Sequence, residues 1–441
     1  MSTAKPVIGV LFGGCSNEYS VSLHSAAAVL NAIDRERFAV VSLGIDHRGR
    51  WYRYTGDHTV IEQDTWLESG CCSPVALSFG ASAHSAMSAE SPDLGAKANG
   101  EPDCGVLDLE SGTVMPLDAV LPILHGRNGE DGSVQGALQL AGIPVVGCGI
   151  TGSAVCMDKV LSHRIAVAEG VSVAEHRLVD AATDPKVVQR LAETVGYPLF
   201  VKPPHEGSSL GLSRVERPVD LMTAVDRALA FDAQVMLERA IDGAEIGCAV
   251  LETAEGLVVG VPDEIELNGA VFDFTEKYSC ETANIIVPAR ISEYDKRRVT
   301  EAAKRLFRAF GCTGFARIDF FLARNGHLYF NEANTIPGFT AHSRFPSMLE
   351  AAGIPLEKLL TIAIENALVG ATMPGSKPAN IESSSAEPAN AGSPATGPAD
   401  EAAGPASEGS HAAAGSTSTK SHGATSPGKS SSDDAHALAY A

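Results

Sequence analysis

Short apolar runs and helix-period segments take turns along the first third of the chain. Residues 7–12 form an apolar run, residues 22–33 repeat apolar positions at helical spacing, and residues 38–43 form a second run. That order predicts a parallel α/β layer. Apolar runs at 119–124 and 145–146 extend the same sheet, with a helix over 132–141 between them, so the first domain closes near residue 149. Beyond it the pattern changes. A helical segment (153–170) precedes strands at 199–202 and 211–215, a helix at 220–230 and a strand at 234–238. An antiparallel set at 244–251, 257–261, 314–322 and 327–331 follows, which is α+β in character.

Two stretches break this pattern. Residues 70–102 are rich in Ser and Ala and read as a surface loop or insertion. From about residue 375 the chain is Ala, Ser, Gly and Pro with Tyr440 its only aromatic, so it cannot bury enough surface to offset its chain entropy and reads as a disordered tail. Its three lysines are outnumbered by seven acids, so it is no basic nucleic-acid arm.

A length of 441 residues predicts two or three domains. The 33 Lys and Arg against 54 Asp and Glu leave a formal charge of −21, which repels nucleic acid and anionic membranes. Nine cysteines, an odd number with no CxxC pair, indicate neither a disulfide framework nor a zinc site. With no export-like leader and no apolar run of about eighteen residues, the expected compartment is the cytoplasm.

Five motifs carry chemistry. The first follows the run at 7–12: Gly13 and Gly14 turn the chain towards Glu18 and a helix, where open α/β sheets bind small ligands. Its glycines do not form GxGxxG, which removes support for a nicotinamide dehydrogenase. The second is His125-Gly126-Arg127-Asn128-Gly129-Glu130-Asp131-Gly132, a strand-end loop whose acidic pair is expected to cap the next helix. The third puts Lys202 on a strand before a Gly/Ser hairpin loop whose donors can close over phosphates, without being a P-loop. The fourth places Asp319 on one strand and Glu332 and Asn334 on one face of the next, three hard oxygen ligands suited to Mg²⁺. Its apolar neighbours Ile318, Phe320, Phe321 and Phe330 draw the carboxylates inward, where they need a cation. The fifth, residues 335–344, offers the Gly338 N–H and Arg344 to an anionic substrate beside the metal.

In order and content these motifs (GGCSNEYSVSLHSA, LHGRNGEDG, KPPHEGSSLGLS, EKY and RIDF with NEANTIPGFTAHSR) resemble the D-alanine–D-alanine ligase family of the ATP-grasp superfamily. That family includes the D-alanine–D-serine and D-alanine–D-lactate ligases of glycopeptide resistance. The resemblance spans roughly residues 6–370. It implies a Rossmann-like parallel-sheet domain at 1–149, ATP-grasp subdomains at 150–238 and 239–372, and a tail at 373–441. It also implies a ligase that forms a carbon–nitrogen bond with ATP, and homodimers are common among its members.

Carried over by motif, Glu18 would bind the ammonium of the first D-alanine, with His125 lining that pocket. Ser208 and Tyr278 would hydrogen-bond with Glu18 to close the site. Lys159 and Lys202 would hold phosphates, with Glu206 and Ser209 in the covering loop. Glu238 and Ile241 resemble the adenine hinge, Glu245 would meet the ribose, and Lys277 would approach the γ-phosphate. Asp319, Glu332 and Asn334 match the ligands of two Mg²⁺, for which Mn²⁺ can substitute. Arg317 and the Gly338 N–H would stabilise the oxyanion, and Ser343 and Arg344 would hold the acceptor carboxylate.

Pro204, the Ser/Ala-rich stretch and the tail depart from the family pattern. Arg344 and the Cys15 turn resemble the D-serine subgroup, which leaves the acceptor open between D-alanine and D-serine. Tyr278 stands where D-lactate ligases place a histidine, which argues against ester formation. Two competing readings are an ATP-grasp ligase of unrelated substrates, which does not require Glu18, Tyr278 or Ser343 with Arg344, and an inactive nucleotide-binding regulator, which predicts a damaged metal set. Truncation at about residue 375 is expected to leave turnover unchanged; a large loss in phosphate release would contradict a passive tail.

Overall fold

The computed structural model describes residues 4–79, 104–267 and 283–372. Most of the Ser/Ala-rich stretch, Lys277, Tyr278 and the tail lie outside these residues. The first sheet contains β1 (Val7–Gly13), β2 (Ala39–Ile45), β3 (Trp51–Tyr54), β4 (Cys72–Phe79), β5 (Cys104–Asp108), β6 (Val114–Pro116) and β7 (Ala119–Ile123). Their order is β6-β5-β4-β3-β2-β1-β7.

The parallel layer holds for the centre of this sheet, where β1 pairs in parallel with β2 and β7. Residues 145–146 join it through a bridge between Val120 and Val145. The other four strands form an antiparallel meander, a correction to the all-parallel expectation. Its cause is the tight turn after β2, closed by Asp46 N–H to the Arg50 carbonyl at 3.0 Å; a turn that short can only reverse the chain. The loop expected over 70–102 is also corrected at its start. Residues 72–79 are β4, which pairs with β3 and β5 and buries Val75; its Ser and Ala content hid a half-buried strand.

Next come β8 (Ser172–Val173), β9 (His176–Asp180), β10 (Leu199–Lys202), β11 (Ser213–Val215) and β12 (Gln234–Arg239). All but β8 form a four-stranded antiparallel sheet, β11-β10-β12-β9. Helices Pro185–Val195 and Leu221–Leu229 cover it, with Val188, Ala192, Leu221 and Val225 in one core with Leu199, Val201 and Leu237.

The third sheet holds β13 (Gly243–Thr253), β14 (Gly256–Val259), β15 (Asp263–Leu267), β16 (Ala283–Ile286), β17 (Phe315–Ala323) and β18 (Leu328–Asn334), with β8 parallel to β18 at its edge. Alternation along β13 sorts its two faces. Ile246, Cys248 and Val250 pack under helices Ile150–Met157, Lys159–Ala168 and Glu293–Ala309, while Ala249 and Leu251 share a core with Ile8, Val10 and Phe339.

The helix Glu293–Ala309, absent from the predicted elements, has Ser292 as N-cap, accepting from Asp295 N–H at 3.1 Å. It buries Val299, Ala302, Ala303, Leu306 and Phe307 at helical spacing. The helical segment at 153–170 is two helices. Asp158 leaves the first in extended conformation, and its carboxylate accepts from Val160 and Leu161 N–H at 2.9 Å to start the second, which puts Lys159 at a helix N-terminus. Among the described residues, no helix is long and apolar enough to cross a membrane.

Candidate active site

Glu18 closes the turn after β1 and sits as N-cap residue of the helix Tyr19–Ala32, 5% exposed. Ser208 donates a hydrogen bond to its Oε1 across 190 residues. Ser208 and Ser209 stand at φ 46° and 59°, a left-handed pair uncommon for residues that carry a Cβ, and this turn aims Ser208 at Glu18. On the other side lies Gly126 at φ 69°, where a Cβ would come within 2.4 Å of Glu18 Oε2. A side chain there is excluded by both backbone and carboxylate. His125 is buried beside it, with burial holding its imidazole below the ordinary range and Nε2 unpartnered among the described residues.

Opposite this pocket lie the lysines. Lys159 Nζ donates to the Glu206 carbonyl at 2.7 Å and stands 3.6 Å from Glu332 Oε2. Lys202, at the end of β10, donates to Glu238 Oε2 at 2.7 Å from the facing strand β12. Burial pushes the Glu238 carboxyl up, but Lys202 and His163 outweigh it and hold it below the usual carboxylate range. His163, one turn after Lys159, is pushed down to about 4 by burial, and its Nε2 lies 2.9 Å from the Asn331 carbonyl. Burial raises the Glu206 carboxyl. Ile241 lies half-buried between β12 and β13.

Asp319 and Glu332 are direct cross-strand partners on β17 and β18, as are Arg317 and Asn334. A register shift after Asp319 opposes Phe320 to Phe330, so Asn331 is the extra residue of a bulge that re-aims this end of the strand. Asn334 Nδ2 donates to Asp319 Oδ2 at 2.9 Å. The fully buried Asp319 is matched by cations from the protein itself: Arg317 Nε and Nη2 donate at 2.8 to 3.0 Å, and Arg344 Nη2 lies 3.4 Å away. Among the described residues, no three His, Cys, Asp or Glu side chains form a metal-holding group. Two carboxylates and the Asn334 amide nevertheless form a hard-oxygen set that fits a divalent cation.

Arg344 is more engaged than the sequence suggested. Its Nε and Nη2 donate to both Asp263 oxygens at 2.7 and 2.8 Å, and Nη1 donates to Glu245 at 2.9 Å. Asp263, wholly buried, also accepts from Gly247 N–H at 2.9 Å. Glu245 thus meets Arg344 here. Ser343 Oγ lies 2.8 Å from Thr340 Oγ1 and accepts from Thr340 N–H at 3.1 Å, and a Cβ at Gly338 would stand 2.7 Å from it.

Contacts thus bring together Glu18 with Ser208, Lys159 with Glu206 and Glu332, Lys202 with Glu238, and Asp319 with Arg317, Asn334 and Arg344, while Lys277 and Tyr278 lie outside the described residues. Sequence reasoning missed Asp263 and His163. For His163 a signal existed, since it follows Lys159 by four residues on one helix face; Asp263, in Val261-Pro262-Asp263, carries none. The acidic pair at 130–131 is corrected in part. Asp131 meets the expectation, accepting from Ser133 N–H in the first turn of the helix Ser133–Leu140 as well as from Asn128 N–H, whereas Glu130 does not and accepts from Gly126 N–H instead; the N-cap position itself is Gly132.

Lysines and arginines gather in this cleft, paired with carboxylates and a carbonyl, beside hard oxygens on two adjacent strands. An ATP-grasp ligase has that character. The family models described as D-ala D-ala ligase N-terminus and C-terminus match residues 7–148 and 161–365. Vancomycin C-type resistance protein VanC1 of Enterococcus gallinarum is 39% identical over 366 residues, 81% of this chain and 98% of its own. A putative D-alanine–D-lactate ligase of Streptomyces coelicolor is 40% identical over 83% of this chain and 99% of its own. The crystal structure of VanG D-Ala:D-Ser ligase from Enterococcus faecalis superposes with a TM-score of 0.72 at 39% identity, covering 82% of this chain and 99% of that one. The chain belongs to the D-alanine–D-alanine ligase family, ATP-dependent enzymes.

Proposed function

We propose that this chain activates one D-alanine as D-alanyl phosphate and joins it to a second, giving D-alanyl-D-alanine for peptidoglycan precursors, with ADP and phosphate released. The observation that carries this is the contact of Ser208, in the loop beside the lysines, with Glu18 in the opposite pocket, which brings an ammonium site against a phosphate site. Glu18 and His125 hold the first D-alanine, and Lys159 and Lys202 hold phosphate oxygens. Glu206, Ser209, Glu238, Ile241, Glu245 and Lys277 line the nucleotide. A carboxylate oxygen is a poor leaving group until it is phosphorylated, and cations around the transferring group offset its spread charge. Asp319, Glu332 and Asn334 would hold two Mg²⁺ or Mn²⁺, which when bound neutralise phosphate charge and orient its oxygens. Arg317 and the Gly338 N–H face the tetrahedral oxyanion, Ser343 and Arg344 hold the acceptor carboxylate, and Tyr278 with Ser208 closes the pocket over Glu18. Closure keeps water from the acyl phosphate. Dependence on ATP suits the cytoplasm.

A second reading has D-serine as acceptor. Arg344, braced by Asp263 and Glu245, supports it, as does the likeness to a protein described as a D-Ala:D-Ser ligase. The test is phosphate release from ATP with Mg²⁺ and D-alanine, with and without D-serine, with products identified by mass. Dipeptide from D-alanine alone is expected. An excess of D-alanyl-D-serine assigns the second reading, and no release in either tube restores the inactive regulator.

A further inference from the structure

Within the loop at 125–132, Asp131 bonds locally, accepting from Asn128 N–H at 2.8 Å and Ser133 N–H at 3.0 Å. Glu130 does not. Its Oε2 accepts from Gly126 N–H at 2.9 Å, and its Oε1 accepts from Ile336 N–H at 3.1 Å, 206 residues along the chain. Gly126 follows His125, and Ile336 precedes Gly338 by two residues. At the far end of that same loop Phe339 N–H points at the buried Ser25 Oγ at 3.4 Å. Gly338 is thus bracketed by two backbone donors, each held by a side chain of the first-sheet segment.

We propose that Glu130 is a positioning residue, a two-donor tether that fixes the loop bearing Gly338 against the loop bearing His125. This rests on the reading above, in which Gly338 faces the oxyanion and His125 lines the D-alanine pocket. An N–H stabilises a developing oxyanion only at about 3 Å, and a misplacement of about 1 Å can cost about 100-fold in rate. The carboxyl is kept in an adverse place: burial and the nearby Glu18 push it up to about 8, against the pull of the two N–H groups and Arg317. No local need of the loop requires it there, since Gly129 N–H and Glu130 N–H already close the turn on the Gly126 carbonyl at 3.1 and 2.9 Å.

The test uses the full chain with Glu130→Ala and Glu130→Gln, reading amide hydrogen exchange at Gly126 and Ile336 together with steady-state kinetics for ATP and D-alanine. For Glu130→Ala, kcat is expected to fall about 100-fold with KM for ATP unchanged, and the Ile336 amide to exchange about 10-fold faster. Glu130→Gln keeps one acceptor oxygen and its shape, and should lose only about 10-fold in kcat. Unchanged exchange at Ile336 in both variants, or kcat within about threefold of wild type in Glu130→Ala, overturns the tether. So does a parallel rise of KM for ATP in Glu130→Gln, which marks a general disturbance. If the wild-type chain released no phosphate, the parent reading would fall while the exchange measurement still decided the tether.

Discussion

Asp319→Asn is expected to cut turnover by at least about 1,000-fold at saturating Mg²⁺ and to lower unfolding stability by about 3 kcal/mol. The substitution keeps the shape and removes one charge. Asp319 is fully buried, and it sits between Arg317, which donates to both its oxygens, and Arg344 at 3.4 Å. Without its carboxylate these two buried guanidinium groups lose a shared anion, and an amide would turn N–H donors towards them. Arg344 keeps Asp263 and Glu245, so the loss should fall mainly on Arg317, whose carboxylate partner is Asp319. Phosphate release and urea denaturation check both arms. Turnover within tenfold of wild type would remove Asp319 from the proposed metal set, and an unchanged urea midpoint would show that Arg317 finds water or another anion.

Lys202→Met should raise KM for ATP about 100-fold and cost about 3 kcal/mol of stability at neutral pH. The methionine matches the stem of the lysine, so the missing element is the charge 2.7 Å from Glu238 Oε2. Glu238 is 3% exposed, and its other oxygen has no hydrogen-bond partner among the described residues. Burial alone pushes this carboxyl up; the ammonium of Lys202 does most to bring it below the usual range. A depressed carboxyl stabilises the wild-type fold above its unfolded pKa, and that share is lost as pH falls through the folded value. In the variant burial acts against a charged Glu238, so the deficit is greatest at neutral pH and shrinks once the carboxyl protonates. The stability gap between wild type and variant in denaturation curves should therefore be smaller at pH 4.5 than at pH 7.5. A deficit independent of pH would assign the loss to packing of the stem.

Much of this site could be read from the sequence because its chemistry is carried by short, dense motifs at strand ends. Lys202 and Asp319 lie within predicted strands, Glu332 and Asn334 lie just past the end predicted for theirs at residue 331, and alternation correctly set Glu332 and Asn334 on one face across from Asp319. The parts that could not be read depend on contacts between distant segments. Asp263 reaches Arg344 over 81 residues and Glu130 reaches Ile336 over 206, and no local periodicity encodes either. The bulge at Asn331 escaped for a related reason, since a register shift is a property of two strands together. Composition misled at β4, where small residues sit in a strand because its neighbours complete the surface.

Four contacts of the cleft share one property: Glu18 with Ser208, Glu130 with Ile336, Lys159 with Glu332 and Arg344 with Asp263 each join remote parts of the chain. Contacts at such separation close late in folding, after each sheet has met its own loop-closure entropy. They are also the first to be lost when one sheet opens locally. The cleft is therefore a joint property of the three sheets: Glu18 and Glu130 come from the segment of the first, Ser208 from that of the second, and Glu332, Ile336 and Arg344 from that of the third.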